Sequence, residues 1–478
     1  MLHPGVTEGK GEVQVDYPFI MCLWDDVTVA DKPDGAIELQ GPGTSWTLNK
    51  PTDGLREVIA ALTGGVDEDT LVGLAVGQGG DLPSFYYLLE KLRGLQFLCY
   101  GVKQGGGWLA KCQPRTADFV FDRERVECGR QYVLSRFASS RQEAGRAILE
   151  SPLACCRLVL CDWLAAAVVH MLSGPVTKEE LAAEFPAGDD GAVALLQLFV
   201  SSGLAHSVED NEDELSRQWE QHDLLFHSRS RPGRDYYPQA GQFRFWQEIE
   251  PLPAIKPSMS SEYVELLKPD LERLKVEDYP FTLILEERRS IREYGRPITA
   301  EQVGEFLYRA ARLREIIEPD LGQGRPYQAS SRPYPSAGAC YELELYLTVQ
   351  ESEGLPPGLY HYQPGEHRLY RLSGDTAYTR ALLKEASGAA AQLCTPQVLI
   401  TITARFPRLS WKYSSIAYAL VLKDVGVLYQ TMYLVATAMD LAPCALGAGS
   451  SDLLATAVGL NDLAESAVGE FLLGTKRI

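Results

Sequence analysis

Five residues in the first hundred recur at one fixed offset. Leu55, Gly65, Leu89, Gly94 and Leu95 return 109 residues later as Leu164, Gly174, Leu198, Gly203 and Leu204. A constant offset through five positions marks a duplicated module, and it restricts the first half of the chain to two copies of one small fold. Short β-like runs at Phe19–Val29 and Ser45–Leu48 precede helical patterns at Gly54–Thr63, Asp67–Val76 and Leu82–Leu92. Asp53 and Asp67 read as N-caps and Gly94 as a stop. Phe97–Tyr100 and Trp108–Cys112 form a hairpin across a Gly-rich turn. Strand, three helices and hairpin is the order of a winged helix. The second copy has strands at Tyr132–Phe137, Ala147–Leu153 and Leu158–Cys161, then helices at Asp162–Leu172, Lys178–Glu184 and Gly191–Ser201. The expected modules are residues 1–115 and 116–214.

Glu209–Glu214 is a solvated acidic run, and Leu215–Phe226 a short helix. Ser228–Pro257 carries five prolines and reads as an extended linker, so residues 215–257 connect the modules to a domain at 258–478. There Thr299-Ala-Glu-Gln302 is a capping box opening a helix with Val303, Phe306, Leu307, Ala310 and Ala311 on one face. Leu343–Val349 alternates apolar and polar residues as a half-buried strand. Leu359–Tyr362 and Leu369–Leu372 flank a turn, and Val398–Ile402 is a buried strand. Hairpins mixed with helices give an α+β class rather than a βαβ series.

A net charge of −19 over 478 residues disfavours nucleic acid and anionic membranes as partners. The start lacks a basic n-region, and Phe19–Trp24 is too short for a signal-peptide core. The ten cysteines show neither Cys-x-x-Cys nor a metal-like spacing, so no metal site is expected. Cys155, Cys156 and Cys161 read as buried thiols, and a reduced, cytoplasmic protein fits. Ile416–Leu441 is apolar, but Lys423, Asp424 and Gln430 make it a buried helix rather than a membrane span. His361 and His367 flank a hairpin turn and read as surface residues.

In this acidic chain Arg288–Gly295, Arg-Arg-Ser-Ile-Arg-Glu-Tyr-Gly, concentrates three guanidinium groups and a hydroxyl. Such a set suits a phosphate, and on one helical turn Arg289 and Arg292 share a face. Downstream stand Ser331–Leu347 with Pro-Ser-Ala-Gly, Gly358-Leu-Tyr-His-Tyr362, Cys444-Ala-Leu-Gly-Ala-Gly449 and a terminal Gly474-Thr-Lys-Arg-Ile478. In that order these motifs resemble the SagB-type dehydrogenases, a branch of the FMN-dependent nitroreductase-like family, and within it the azoline oxidases of cyanobactin-type peptide biosynthesis.

The resemblance, which covers Leu215 to the C-terminus, implies an FMN phosphate clamp of Arg288, Ser290 and Arg292, closed by Lys476 and Arg477. It implies a loop at Ser336 and Gly338 that approaches the flavin from a partner subunit, hence a homodimer. Ala445, Leu446 and Gly447 match the stretch beside the flavin ring, and locally they read as a helix exit. Trp411-Lys412-Tyr413 carries the catalytic pair: a desolvated Lys412 can take a proton, and Tyr413 can bond the substrate. The implied activity is dehydrogenation of peptide thiazolines or oxazolines, with the tandem modules holding the azoline-containing precursor peptide. Two rivals are an NAD(P)H-dependent nitroreductase-like enzyme of small molecules and a winged-helix regulator with a flavin sensor. The acidic charge and a Lys- and Arg-free Gly191–Ser201 argue against the regulator.

Overall fold

A computed structural model describes residues 19–41, 43–77, 80–116, 119–121, 126–185, 190–210, 212–231, 241–393 and 395–477. The start at Met1–Gly5, Asn211 of the acidic run and 232–240 of the expected linker lie outside the described residues. The chain divides into two compact units, Met1–Tyr237 and Pro238–Ile478, so the division falls inside the segment read as a linker.

The first unit contains β1 Ile20–Leu23, β2 Thr28–Asp31, β3 Ile37–Gly41, β4 Thr44–Leu48, α1 Asp53–Gly64, β5 Val66–Asp67, α2 Glu68–Gly77, α3 Leu82–Gly94, β6 Leu98–Gln104 and β7 Gly107–Pro114. It continues with β8 Gln131–Leu134, β9 Ser139–Glu143, β10 Arg146–Glu150, β11 Cys156–Leu160, α4 Trp163–Met171, β12 Val176–Thr177, α5 Lys178–Glu184, α6 Asp190–Ser201, β13 Ala205–Ser207 and α7 Gln221–Arg229. The repeat is visible in the pairing. β1 lies between β5 and β6 as β8 lies between β12 and β13, and a three-stranded meander precedes the helices in each copy. The copies differ in where that meander goes. β2-β3-β4 is a separate sheet, whereas β11 pairs with β7 of the first copy, Leu158 opposite Cys112. One sheet, β5-β1-β6-β7-β11-β10-β9, therefore runs through both copies.

Local chemistry starts the helices. Thr52, not Asp53, caps α1 by accepting the Leu55 N–H, and Thr177 and Glu180 form a capping box on α5. α1 buries Leu55, Val58, Ile59 and Leu62, one helical stripe. Several expectations are corrected here. β3 and β9 were not foreseen, and Leu215–Phe226 is a short 3₁₀ turn at Ser216–Gln218 followed by α7. Cys156 is buried, but Cys155 is half-buried and Cys161, just past the end of β11, is exposed.

In the second unit the elements are β14 Tyr263–Glu265, α8 Leu271–Glu277, α9 Phe281–Glu287, β15 Ile298–Thr299, α10 Ala300–Ala311, β16 Glu315–Ile317, β17 Ala329–Ser331, β18 Leu343–Val349 and β19 Ser352–Glu353. Then come β20 Gly358–Gln363, β21 Arg368–Ser373, α11 Ala377–Ala389, β22 Val398–Arg405, α12 Phe406–Ser410, α13 Ala417–Ala438, β23 Leu441–Leu446, α14 Ser451–Val458 and β24 Glu465–Thr475. The main sheet is antiparallel in the order β14-β21-β20-β18-β22-β24-β23, so the class is α+β as expected. α13 is the core helix. Its Val421, Val425, Leu428, Met432 and Ala436 pack with Val303, Phe306 and Leu307 of α10, whose Thr299–Gln302 capping box is formed.

β18 is not half-buried. It lies mid-sheet and every residue is buried, because the α10/α13 layer covers one face and a cluster including Tyr346, Leu382 and Leu399 covers the other. The carboxylates on and beside its polar face have internal partners, although the Thr348 hydroxyl has none among the described residues. Glu344 meets His361 Nε2 at 3.1 Å and Arg405 at 3.4 Å, and Glu465 meets Tyr346, Thr403 and Lys256 at 2.9, 2.8 and 2.6 Å. His361 and His367 are accordingly buried rather than on the surface, His367 Nδ1 lying 2.9 Å from the Tyr362 hydroxyl.

Candidate active site

The residues singled out in the sequence fall into two groups at opposite ends of α13. The first is cationic. α9 stops at Glu287 and Arg288–Gly295 follows the sheet edge as non-helical chain. The Ile291 N–H donates to the Pro443 carbonyl at 2.8 Å and the Gly295 N–H to Thr475 at 3.0 Å. Donors committed to β23 and β24 cannot serve a helix, so Arg289 and Arg292 do not share a helical face. Gly295 is required here, since a Cβ would meet the Lys476 carbonyl oxygen at 2.5 Å.

Arg289, Ser290, Arg292, Lys476 and Arg477 line one open depression of about 330 Å³. Lys476 pairs with Asp440, and Arg477 lies 4.0 Å from Glu293. Arg289 and Arg292 have no carboxylate partner among the described residues. Arg288 points elsewhere, its guanidinium 5.2 Å from the centre of the Tyr433 ring. Tyr433, which the sequence reading did not single out, organises this group. Its oxygen accepts the Ala445 N–H at 2.8 Å and shares a hydrogen bond of 2.7 Å with Ser290 Oγ, in which either hydroxyl can donate. Ala445 and Leu446 close strand β23 and Gly447 follows it, exposed. The stretch is thus a strand exit, not a helix exit, because α13 ends at Ala438 and the chain turns through Asp440 at positive φ.

The second group surrounds Lys412, between α12 and α13. Lys412 Nζ donates to the Tyr327 hydroxyl at 2.5 Å, and Tyr327 donates to the Gly338 carbonyl at 2.7 Å. Gly338 has φ of 59°, and a Cβ there would fall on Lys412 Nζ and 2.7 Å from the Tyr413 hydroxyl. Only glycine suits the position, on conformation and on space. Nζ lies 4.7, 5.0 and 5.9 Å from the ring centres of Tyr327, Tyr413 and Phe243. The Lys412 carbonyl accepts the Gln242 and Phe243 N–H groups, which fixes residues 241–243 against it. Burial holds the Lys412 ammonium below its ordinary value and pushes the Tyr413 and Tyr327 phenols up.

The loop carrying Gly338 rests on two carboxyl groups. Ser336 Oγ turns inward to Glu342 at 3.2 Å and accepts the Tyr341 N–H at 3.0 Å, while Asp424 accepts the Ala337 N–H at 2.9 Å. Burial and the neighbouring Asp424 charge push Glu342 up to about 8. The sequence therefore located Ser336, Gly338, Lys412 and Tyr413, which the fold brings together, but missed Tyr327 and the buried acids. Glu342 directly precedes a strand that read as half-buried, and no local pattern marked Tyr327. Among the described residues no group of three or more His, Cys, Asp and Glu side chains could hold a metal.

Known proteins are similar to both parts of the chain. Residues 132–236 match the model of the cyanobactin oxidase ThcOx, and residues 285–475 that of the nitroreductase family. MJ1384 of Methanocaldococcus jannaschii, named for the nitroreductases, is 32% identical over 189 residues, covering 39% of this chain and 84% of that protein. The microcin B17-processing protein McbC of Escherichia coli is 31% identical over 134 residues, covering 27% of this chain and 46% of McbC. One chain of the E. coli McbBCD microcin synthetase complex, solved with truncated pro-MccB17 bound, aligns with 56% of this chain and all of its own length, at 18% identity and a TM-score of 0.33. With both cationic and lysine groups inside the matched segment, and most of MJ1384 spanned at this identity, the chain belongs to the nitroreductase family.

Proposed function

We propose that this chain is an FMN-dependent azoline dehydrogenase, turning thiazolines or oxazolines of a modified precursor peptide into thiazoles or oxazoles. The observation that carries the reading is the half-buried Lys412 amine held against the exposed Gly338 backbone. The ThcOx match and the resemblance to McbC support the peptide substrate. Aromatising the ring removes a hydride from one carbon and a proton from its neighbour, and a bound flavin supplies the hydride acceptor. Lys412 takes the proton at Nζ, a role suited to an amine whose desolvation favours the neutral form. Tyr413 offers a protonated phenol to the ring heteroatom. Arg289, Arg292, Ser290 and Lys476 are a donor set that fits a phosphate, and their open depression has room for one.

The same reading calls for a homodimer. Tyr433 lies sixteen residues beyond Ala417 along α13, about 24 Å of helix. That separation along α13 supports a site that takes the cationic group from one copy and Lys412 from the other. Exposed Phe281, Leu283 and Leu285 of α9, beside exposed Tyr418 and Leu422 of α13, supply apolar surface for that contact.

The first unit is read as two winged-helix modules that hold the precursor peptide, in a cytosolic protein. On α3 Phe85 and Leu89 are core, whereas Leu82, Tyr86 and Tyr87 are exposed; Leu195, Leu198 and Phe199 of α6 are all core. Of these two helices, α3 thus carries the exposed aromatic rings. The net charge of −19 and the absence of Lys and Arg from α6 leave nucleic acid disfavoured.

The decisive experiment mixes the yellow, anaerobic protein with an azoline peptide and follows the flavin absorbance. Bleaching with formation of the azole supports the reading. Bleaching by NAD(P)H but not by the peptide would favour the small-molecule reductase suggested by MJ1384.

A further inference from the structure

We infer that Tyr327 is a positioning residue that aims the Lys412 amine. The inference rests on Lys412 acting as the base proposed above. The Tyr327 proton is committed to the Gly338 carbonyl at 2.7 Å, so toward Lys412 at 2.5 Å the phenol oxygen can only accept. An amine that donates one N–H to this fixed acceptor cannot turn its lone pair toward Tyr327. The ring centres of Tyr413 and Phe243 lie 5.0 and 5.9 Å from Nζ, and the exposed backbone of Gly338 comes close to it. The lone pair is therefore turned away from Tyr327, and the Gly338 backbone is among the groups it can face.

Tyr327 is itself well anchored. It follows β16 and precedes β17, and its ring lies in an aromatic group with Phe243 and Trp411, at 6.2 and 6.5 Å between centres. Trp411 is pinned in turn, donating from its indole to the Ile249 carbonyl at 2.6 Å. The titratable groups around Lys412 are Tyr327, Tyr413 and Cys340, and burial pushes all three up, Cys340 to about 11. All stay neutral near pH 7, so the phenol of Tyr327 acts as a fixed dipole and not as a competing base.

The test uses the flavin-loaded, full-length Tyr327→Phe variant, which keeps the ring and loses the acceptor. Flavin content and melting temperature should match wild type. The kcat for an azoline peptide should fall on the order of tenfold or more with KM little changed, since a mis-aimed base costs turnover rather than binding. Independently of activity, the pH dependence of Lys412 acetylation by trace acetic anhydride, read by peptide mass spectrometry, should move to lower pH. The lost acceptor had stabilised the ammonium more than the amine. An unmoved Lys412 titration overturns the inference, whether or not kcat falls, and so does a moved titration with unchanged kcat beside an inactive Lys412→Ala. If Lys412→Ala itself keeps full turnover, the assignment of the base fails, and the acetylation profile alone then decides whether Tyr327 holds the amine.

Discussion

The two ends of α13 solve opposite electrostatic problems. At the Tyr433 end Arg289 is exposed to water, and backbone bonds to strands help to hold the Arg288–Gly295 strip. A site that must attract an anion keeps its cations hydrated and charged until the anion arrives. At the Lys412 end the cation is surrounded by rings and half-buried, and the environment works against its charge. A base needs its neutral form, so this desolvation suits the role proposed for Lys412 and would not suit the proposed phosphate clamp. On the proposed roles, differences in burial separate the basic residues of one domain into a phosphate clamp and a base.

The comparison breaks first at Lys412. Lys412→Ala should keep flavin and fold yet lose turnover on the order of 10²–10⁴-fold in steady-state assays. Tyr413→Phe should be milder, losing the hydroxyl but keeping the ring. At the cationic end, Arg292→Ala should weaken FMN binding by about 1.5–3 kcal/mol, roughly 10- to 150-fold, measured by fluorescence titration of the apoprotein. Arg288→Ala should cost less, about 0.5–1 kcal/mol, because its guanidinium rides on the Tyr433 ring. Equal losses for the two arginines would mean that the depression is not the phosphate site.

The smallest effect concerns the acids under the Ser336–Gly338 loop. Glu342 keeps its proton in the folded chain up to about pH 8, whereas the unfolded chain loses it near 4.5. Folded Glu342 binds more protons across that interval, so its contribution is full below the lower value and declines as pH rises toward the upper one. Glu342→Gln should remove this slope. Its melting temperature should gain on wild type between about pH 5 and pH 8, and a constant difference would show that Glu342 does not titrate there.

The sequence by itself determined what is local or periodic. The 109-residue offset announced the paired β1/β8 arrangements, the Thr299–Gln302 capping box starts α10 where its residues say it should, and the long apolar stretch of α13 marked a buried helix. Lys412 and Tyr413 are adjacent, so their pairing was legible too. Tertiary structure alone decided what depends on distant partners. Arg288–Gly295 carries helix-compatible residues, yet β23 and β24 take its Ile291 and Gly295 backbone donors and hold it non-helical. Glu342 and Glu344 alternate as if for solvent, but the layer across β18 buries them and turns one into a proton-holding acid. Tyr327 stands 85 residues before Lys412, and no pattern in one dimension can show a hydrogen bond that exists only after two loops are folded onto the same helix end. Periodicity and capping are written into neighbouring residues, while burial and long-range hydrogen bonds belong to the packed chain.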